Sequence, residues 1–449
     1  VDREDEQQVT AGDASAGTPG ITGASVARLG IWACILGTAL LRINGAAIGL
    51  MLQTYEEDVG AMPSVVGLIA VSFYLTELMG APLFGTWVDR HGWKRFMLLG
   101  PLLAAVAVLL TWASVLLRDT LLLLLAVLFF TRLLEGIAVA SNTPATLSYI
   151  TAATSHDAAL RARISGYFEL AAIGGTALGG SLGGRTYQAI GVAGFGVLAV
   201  LYLVGWAIFR LVPATLSGEQ HQAVSHSNPL RLLRQGAIWS FAPAWVAVNG
   251  IIGLWLNNVA YQLTLSCAAP PRPEIAALCQ RIGGQVLVGG YSDELAGDMI
   301  TGFALLFAVG MIIWMRVLPR LRKTHAMQIA LIGGILTCGV LAGINNLPHA
   351  PTGTLVLLGG ALGATLMLLS GFTVAALMVL MQLADRYASD RGAMMGIYSV
   401  LLGVGQFIGG SLGGVVAQWQ GVNGMIGLTL FFTLLSALFV TLFQHLEAV

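Results

Sequence analysis

Residues 175–184 read Gly-Thr-Ala-Leu-Gly-Gly-Ser-Leu-Gly-Gly, and residues 405–414 read Gly-Gln-Phe-Ile-Gly-Gly-Ser-Leu-Gly-Gly. Seven of the ten positions match, at an offset of 230. Upstream, Gly166 aligns with Gly396 and Arg161 with Arg391 at the same offset. Self-similarity at about half the length of a 449-residue chain means two halves built alike. Gly175, Gly179 and Gly183 recur every fourth residue, as do Gly405, Gly409 and Gly413. That spacing puts each set on one helix face. Small residues let helix backbones approach closely in lipid. Two uses fit: static packing, and a close but bendable contact between the halves.

Composition says what surrounds the repeat. Hydrophobic residues make up 56% of the chain and charged residues 10%, with 57 glycines and a mean hydropathy of +0.81. A soluble protein carries about 25% charged residues, so a 47.0 kDa globule with this composition has no solvated surface. This excludes a soluble enzyme, a nucleic-acid binder and a disordered or collagen-like chain. Apolar stretches of bilayer length follow one another, and backbone polar groups in lipid are satisfied within helices. The reading is an all-α polytopic membrane protein. Twelve spans are expected, at 30–53, 64–88, 95–117, 120–142, 160–184, 189–212, 237–262, 297–318, 326–345, 354–383, 392–415 and 421–445. With the repeat, they make two pseudo-symmetric six-helix bundles.

Residues 1–27 are polar and acidic at their start, without the basic and apolar pattern of a signal peptide, and read as a disordered cytoplasmic tail. The first bundle is expected over 28–212, a cytoplasmic linker over 213–236, and the second bundle over 237–449, with an outer, water-exposed loop at 263–296. With the N-terminus inside, 16 basic residues fall in inner segments and four (Arg118, Arg185, Arg272, Arg281) in outer ones. That bias puts both termini in the cytoplasm of a plasma or bacterial inner membrane. Cys267 and Cys279 share the outer loop, and a disulfide and two thiols are both open. No Cys/His metal spacing, Walker loop, HExxH or nucleophile elbow occurs, so no metal, cofactor, ATP drive or enzymatic activity is expected.

The loop after the second span reads Gly85-Thr-Trp-Val-Asp89-Arg90-His-Gly92-Trp-Lys94-Arg95. It resembles the signature loop of the major facilitator superfamily. The resemblance implies a cytoplasmic gate latch in which Asp89 meets the start of span eleven, near Asp390 and Arg391. Arg90, Lys94 and Arg95 would join its charge network, with Gly85 and Gly92 shaping the turn. In span four, Arg132-Leu-Leu-Glu135-Gly136-Ile-Ala-Val-Ala140 resembles the family's RxxQGxxxA motif, with Glu135 where Gln is usual. The span-five repeat resembles the exporter motif GxxxGPxxGG, with Gly180 in place of its proline. The family members of this kind are twelve-helix, proton-coupled drug exporters.

Charges in the middle of a bilayer are costly, roughly 2.5–3.5 kcal/mol each or more, so each one asks for a role. Five are expected, all in the first half: Arg42, Glu77, Arg132, Glu135 and Glu169. The interiors of the second half's spans read as free of carboxylates. Arg132 and Glu135 are three residues apart and share a face. Glu77 sits near mid-depth among Tyr74, Leu75, Met79 and Gly80, and a carboxyl so placed is a candidate protonation switch; the bland alternative is an ion pair with Arg42. Glu77, Arg132, Glu135 and Glu169 are the candidates for proton coupling. Arg42, Asn44, Asn142, Trp245, Asn249, Asn257, Tyr261 and Tyr398 are candidates for substrate binding, with Gln406 as a weaker one.

The reading is a secondary transporter: a proton/substrate antiporter exporting amphipathic or hydrophobic compounds by alternating access. Its partners are a small-molecule substrate, protons and membrane lipid. It binds no nucleic acid and acts as a monomer. The alternatives are uptake or uniport of an organic anion or sugar, lipid or lysolipid export, and a non-transporting receptor or assembly factor on the same fold.

Overall fold

The structure is a computed structural model that describes residues 21–154, 158–214, 236–349, 351–386 and 391–447. Within these stretches the side chains of Asp89, Glu169 and residues 380–399 are outside the description, so the expectations for Glu169, Tyr398, the Asp89 latch and the tail before residue 21 are not addressed by it. Among the described residues there is no strand.

The first bundle is built from α1 (Ile21–Asp58), α2 (Pro63–His91), α3 (Trp93–Ala113), α4 (Leu121–Ala153), α5 (Ala158–Ile190) and α6 (Gly194–Phe209). The second contains α7 (Gly236–Leu256), α8 (Val259–Thr264), α9 (Pro273–Ile282), α10 (Asp293–Val317), α11 (Lys323–Asn345), α12 (Thr352–Leu369), α13 (Gly371–Arg386) and α14 (Arg391–Glu447). Among the described residues, nine stretches are long and apolar enough to cross a membrane. Two of these, Leu170–Phe209 and Val400–Gln444, each hold two crossings, which turn at Gly191 (φ 56°) and Gly421 (φ 59°). Only glycine enters that backbone region without cost. With α7 the crossings number twelve. Large apolar side chains such as Leu116, Leu122 and Leu357 stand on the outside, where lipid would solvate them.

Several boundaries differ from the sequence reading for local reasons. α1 starts at Ile21, inside the stretch read as tail, and runs on to Asp58, past the expected end of the span at residue 53 and through the acidic triplet Glu56-Glu57-Asp58. The seventh span breaks at Asn257-Asn258, between α7 and α8. The tenth breaks at Ser370, between α12 and α13. The loop expected in water is folded. Its amphipathic helix α9 buries Ile275, Leu278 and Ile282 against Ala61, Val66 and Tyr261. The Cys267–Cys279 disulfide, Cα–Cα 5.5 Å, ties that loop. Ser292 then caps α10 by accepting from the Leu295 amide at 3.3 Å, with Asp293 and Glu294 in the favourable first turn. We call this the disulfide end of the molecule. The opposite end, which carries Arg90, Arg95, Arg316 and Arg320, is the arginine end.

Candidate functional site

The glycine doublets divide their labour. Gly175, Gly179 and Gly183 seat α5 on α1: a Cβ at Gly175 would stand 2.7 Å from the Ala39 carbonyl, and one at Gly183 would stand 2.6 Å from the Ala47 carbonyl. Gly405, Gly409 and Gly413 seat α14 on α7 in the same way, against Val246, Gly250 and Leu254. The contact between halves expected at these six positions is thus a contact within each bundle. The contact between bundles is one residue further on. Gly180 and Gly184 meet Gly297 and Asp293 of α10, and Gly410 and Gly414 meet Val71 and Pro63 of α2. Adjacent residues on a helix point about 100° apart, so each doublet serves two neighbours.

The buried charges form two groups. Arg132 and Glu135 of α4 form an ion pair inside the first bundle, at 7% and 3% exposure, and Arg132 also lies over the Phe73 ring at 5.1 Å. Gly136 makes room for this, because a Cβ there would run into Thr76 and the Phe73 carbonyl of α2. The pairing is incomplete. Arg132 Nε and Glu135 Oε1 have no hydrogen-bond partner. Arg42 of α1 and Glu77 of α2 face one another electrostatically but form no ion pair, and both are half-buried. The helix-holding pair that sequence allowed there does not form. A cation and an anion instead stand apart, each partly open, near the middle of the bundle, with Tyr74 beside Glu77 and Asn257.

The other expected binding residues have structural occupations. Asn44 donates to the Leu198 carbonyl at 2.8 Å and Asn142 to the Met97 carbonyl at 3.0 Å, each fastening two helices of the first bundle. Asn249 and Asn257 turn back on their own helix, to Trp245 and Gly253 carbonyls at 2.9 and 2.7 Å. Trp245 is buried in an apolar cluster with Phe241, Trp314 and Phe372. Tyr261 reaches across to the first bundle and donates to the Ala61 carbonyl at 2.7 Å. Gln406 sets its backbone against Gly253.

The disulfide end is where polar groups join the bundles. Gln53 donates to the Leu256 carbonyl at 2.9 Å, the Ser266 amide donates to Glu57 at 2.8 Å, and Arg272 donates to the Val59 carbonyl at 3.0 Å. On the other flank Arg185 of α5 pairs with Asp298 and Glu294 of α10, and Ser181 donates to Asp298. Asp298 stands near the solvent-accessible start of α10, not in a span interior. Sequence reasoning missed Glu56 and Glu57, which look like the solvated end of a span. The signal was present: only residues 59–62 separate α1 from α2, too short a link to carry three acids out into water.

At the arginine end, among the described residues, no ion pair joins the bundles. Gly92 turns α2 into α3 with φ 83°, a conformation that favours glycine. Arg90 and Arg95 are exposed. Lys94 donates to the Arg210 carbonyl at 3.1 Å and Trp93 to the Pro213 carbonyl at 3.0 Å, both within the first bundle. Gly85 has open space around it. The molecule is therefore held shut at its disulfide end.

Twelve crossings in two like bundles, joined through polar contacts at the disulfide end and carrying ionisable groups inside the first, match the architecture of a membrane transporter. The family comparison agrees: the model of the Major Facilitator Superfamily matches residues 34–271 and 287–448, and the chain belongs to that family. A relative, multidrug resistance protein 2 of Bacillus subtilis (strain 168), is 25% identical over 179 residues, which is 38% of this chain and 41% of that protein. Similar solved structures include a mutant of the nucleoside transporter NupG, with TM-score 0.69, 12% identity, and 93% of this chain and 99% of that one covered. A bacterial homologue of the iron transporter ferroportin, in an inward-facing state, has TM-score 0.62, 15% identity and coverage of 93% and 98%. A bacterial homologue of the human lysosomal transporter Spinster, inward-facing and unoccupied, has TM-score 0.64, 14% identity and coverage of 94% and 97%. These likenesses establish the fold.

Proposed function

We propose that this transporter is a proton-coupled antiporter that exports amphipathic or hydrophobic small molecules, with its disulfide end outside and both termini in the cytoplasm. The observation that carries this reading is the set of ionisable groups in the first bundle whose bonding is incomplete: Arg132 and Glu135 with unmatched atoms, and Arg42 and Glu77, half-buried and in no ion pair among the described residues. Such groups are costly in a membrane unless a proton or a substrate neutralises them during the cycle. Protonation at Glu77, Glu135 or Glu169 biases the equilibrium between inward- and outward-open states, because the two states bind the proton with different affinity. The basic residues of the arginine end favour a cytoplasmic location for it. The partial likeness to a multidrug resistance protein supports export. On this reading the halves divide at the 213–236 linker, and the Gly85–Arg95 loop, with Asp89, latches the arginine end when that end closes.

The test uses purified protein in vesicles with ethidium as the amphipathic probe and a pH-sensitive dye inside. Addition of probe drives proton movement in the wild type, and at least one of Glu77→Gln, Glu135→Gln and Glu169→Gln uncouples it. Unchanged coupling in all three rules out this mechanism. One observation favours a second reading. Among the described residues Arg42 is a half-buried cation without a carboxylate in ion-pair range, as a site for an organic anion would need. Uptake of fluorescein, lost in Arg42→Gln, with no ethidium transport would establish that reading over export.

A further inference from the structure

Glu56, near the disulfide end of α1, is the most completely enclosed acid described. It is 0% exposed, and neither carboxyl oxygen has a hydrogen-bond partner. Among the described residues no cation forms an ion pair with it. Arg132 of α4 is the one cation acting on it, and that guanidinium is already paired with Glu135. One positive charge therefore acts on two buried carboxyls and is paired with only one of them. The second bundle faces Glu56 with Tyr261 of α8, whose hydroxyl is already given to the Ala61 carbonyl. Gln262, next to Tyr261, is also 0% exposed, and its amide is unbonded. The rest of the seam is acidic. Glu57 accepts from Ser266, Asp58 accepts from Tyr187 of α5 at 2.5 Å, and Asp293 of α10 lies within electrostatic range of both acids. The remaining cations nearby are engaged, Arg272 on the Val59 carbonyl and Arg118 over the Tyr55 ring at 5.5 Å. An ionised Glu56 here would be a fully enclosed charge with no hydrogen-bond partner. The neutral acid carries no such penalty.

We propose that Glu56 is a proton-binding site coupled to closure of the disulfide end. The carboxyl takes up one proton when the bundles meet there, and releases it to the same side when they part and water reaches it. The cluster Glu56–Arg132–Glu135 then holds one cation, one carboxylate and one carboxylic acid while closed. The proposal rests on the alternating-access reading but not on coupled transport. The sign is fixed: the closed state holds one more proton, so closure is favoured at low pH and lost as pH rises.

The test measures the distance between bundles. Spin labels are placed on cysteines introduced at Asp119 and Thr352, exposed positions at the disulfide end of each bundle, with Cys34 and Cys338 replaced by alanine. In the wild type the closed-to-open ratio falls by up to about tenfold per pH unit, between the pKa of the carboxyl in the open state and that in the closed state, as one-proton linkage requires. Glu56→Gln stays closed and shows no slope. Glu56→Met, of similar length and without a titrating group, shows the same loss of slope and carries the test if the first variant does not fold. A wild-type slope in Glu56→Gln, or closure that follows sodium instead of pH, overturns the proposal. Loss of slope without any substrate-driven proton movement in the wild type overturns the antiport reading and leaves this one standing. Coupled transport with a pH-independent gate does the reverse.

Discussion

In the seam beside the first bundle's α2, Gly67 lies against Gly410 and Gly414 of α14; beside the second bundle's α10, Gly297 lies against Gly180 and Gly184 of α5. Gly67 and Gly297 are themselves 230 residues apart, the offset of the repeat. The two bundles therefore dock on each other through duplicated glycine contacts. Their interiors are not duplicated. The first encloses Arg42, Glu56, Glu77, Arg132 and Glu135, whereas the second offers amides at comparable depth: Asn249, Asn257, Asn258 and Gln262. Packing geometry and charge chemistry have separate requirements. Close helix approach requires small residues on both sides of the seam, so the copies resemble each other. Sensing a proton requires ionisable groups in one place only, so one bundle can carry them while the other provides a neutral wall of amides.

The largest expected effect breaks the packing half of that comparison. A Cβ at Gly409 would coincide with the Gly250 carbonyl inside the second bundle, so Gly409→Val gives no folded protein, read as loss of the monodisperse peak on size-exclusion chromatography. Gly410→Val, one residue away, instead wedges α14 off Val71 of α2. It folds, but its bundles stand apart at the disulfide end in a spin-label distance measurement. Equal behaviour of the two variants would refute the division of labour within the doublets.

The next effect separates the two interiors. Arg132→Ala leaves Glu135 buried and unpaired, and breaking a buried pair costs about 3–5 kcal/mol. Asn249→Ala removes a single amide bond to its own helix, worth about 1 kcal/mol. Thermal unfolding in detergent should rank them in that order, and parity would mean that the first bundle's charges are no more demanding than the second's amides. The smallest effect lies at the rim. Arg185 and Asp298 are accessible to solvent, so Arg185→Ala shifts the molecule only slightly toward opening at the disulfide end, and added salt removes the difference from wild type. A salt-independent shift would contradict this.

Much of the architecture can be read from sequence, because hydropathy, helix length and the GGSLGG repeat are all properties of single helices or pairs of like helices. The motif charges Arg132 and Glu135 can be read too, since a three-residue spacing fixes their shared face. Other features depended on the partner across the seam. Whether Gly179 or Gly180 faced the other bundle could not be told from a periodicity both satisfy. Asn44 and Asn142 have the same composition as binding residues, and only their helix neighbours show them to be fasteners. Glu56 and Glu57 end an apolar helix and look solvated until α8 and α9 are laid over them.

The claim on which the rest depends is that the proton chemistry resides in the first bundle. Accumulation of ethidium against its gradient, driven by an imposed pH difference across vesicles, tests it most directly in a variant with Glu56, Glu77, Glu135 and Glu169 all changed to glutamine. The account predicts that downhill ethidium flux survives while pH-driven accumulation disappears. Accumulation at the wild-type level would contradict it.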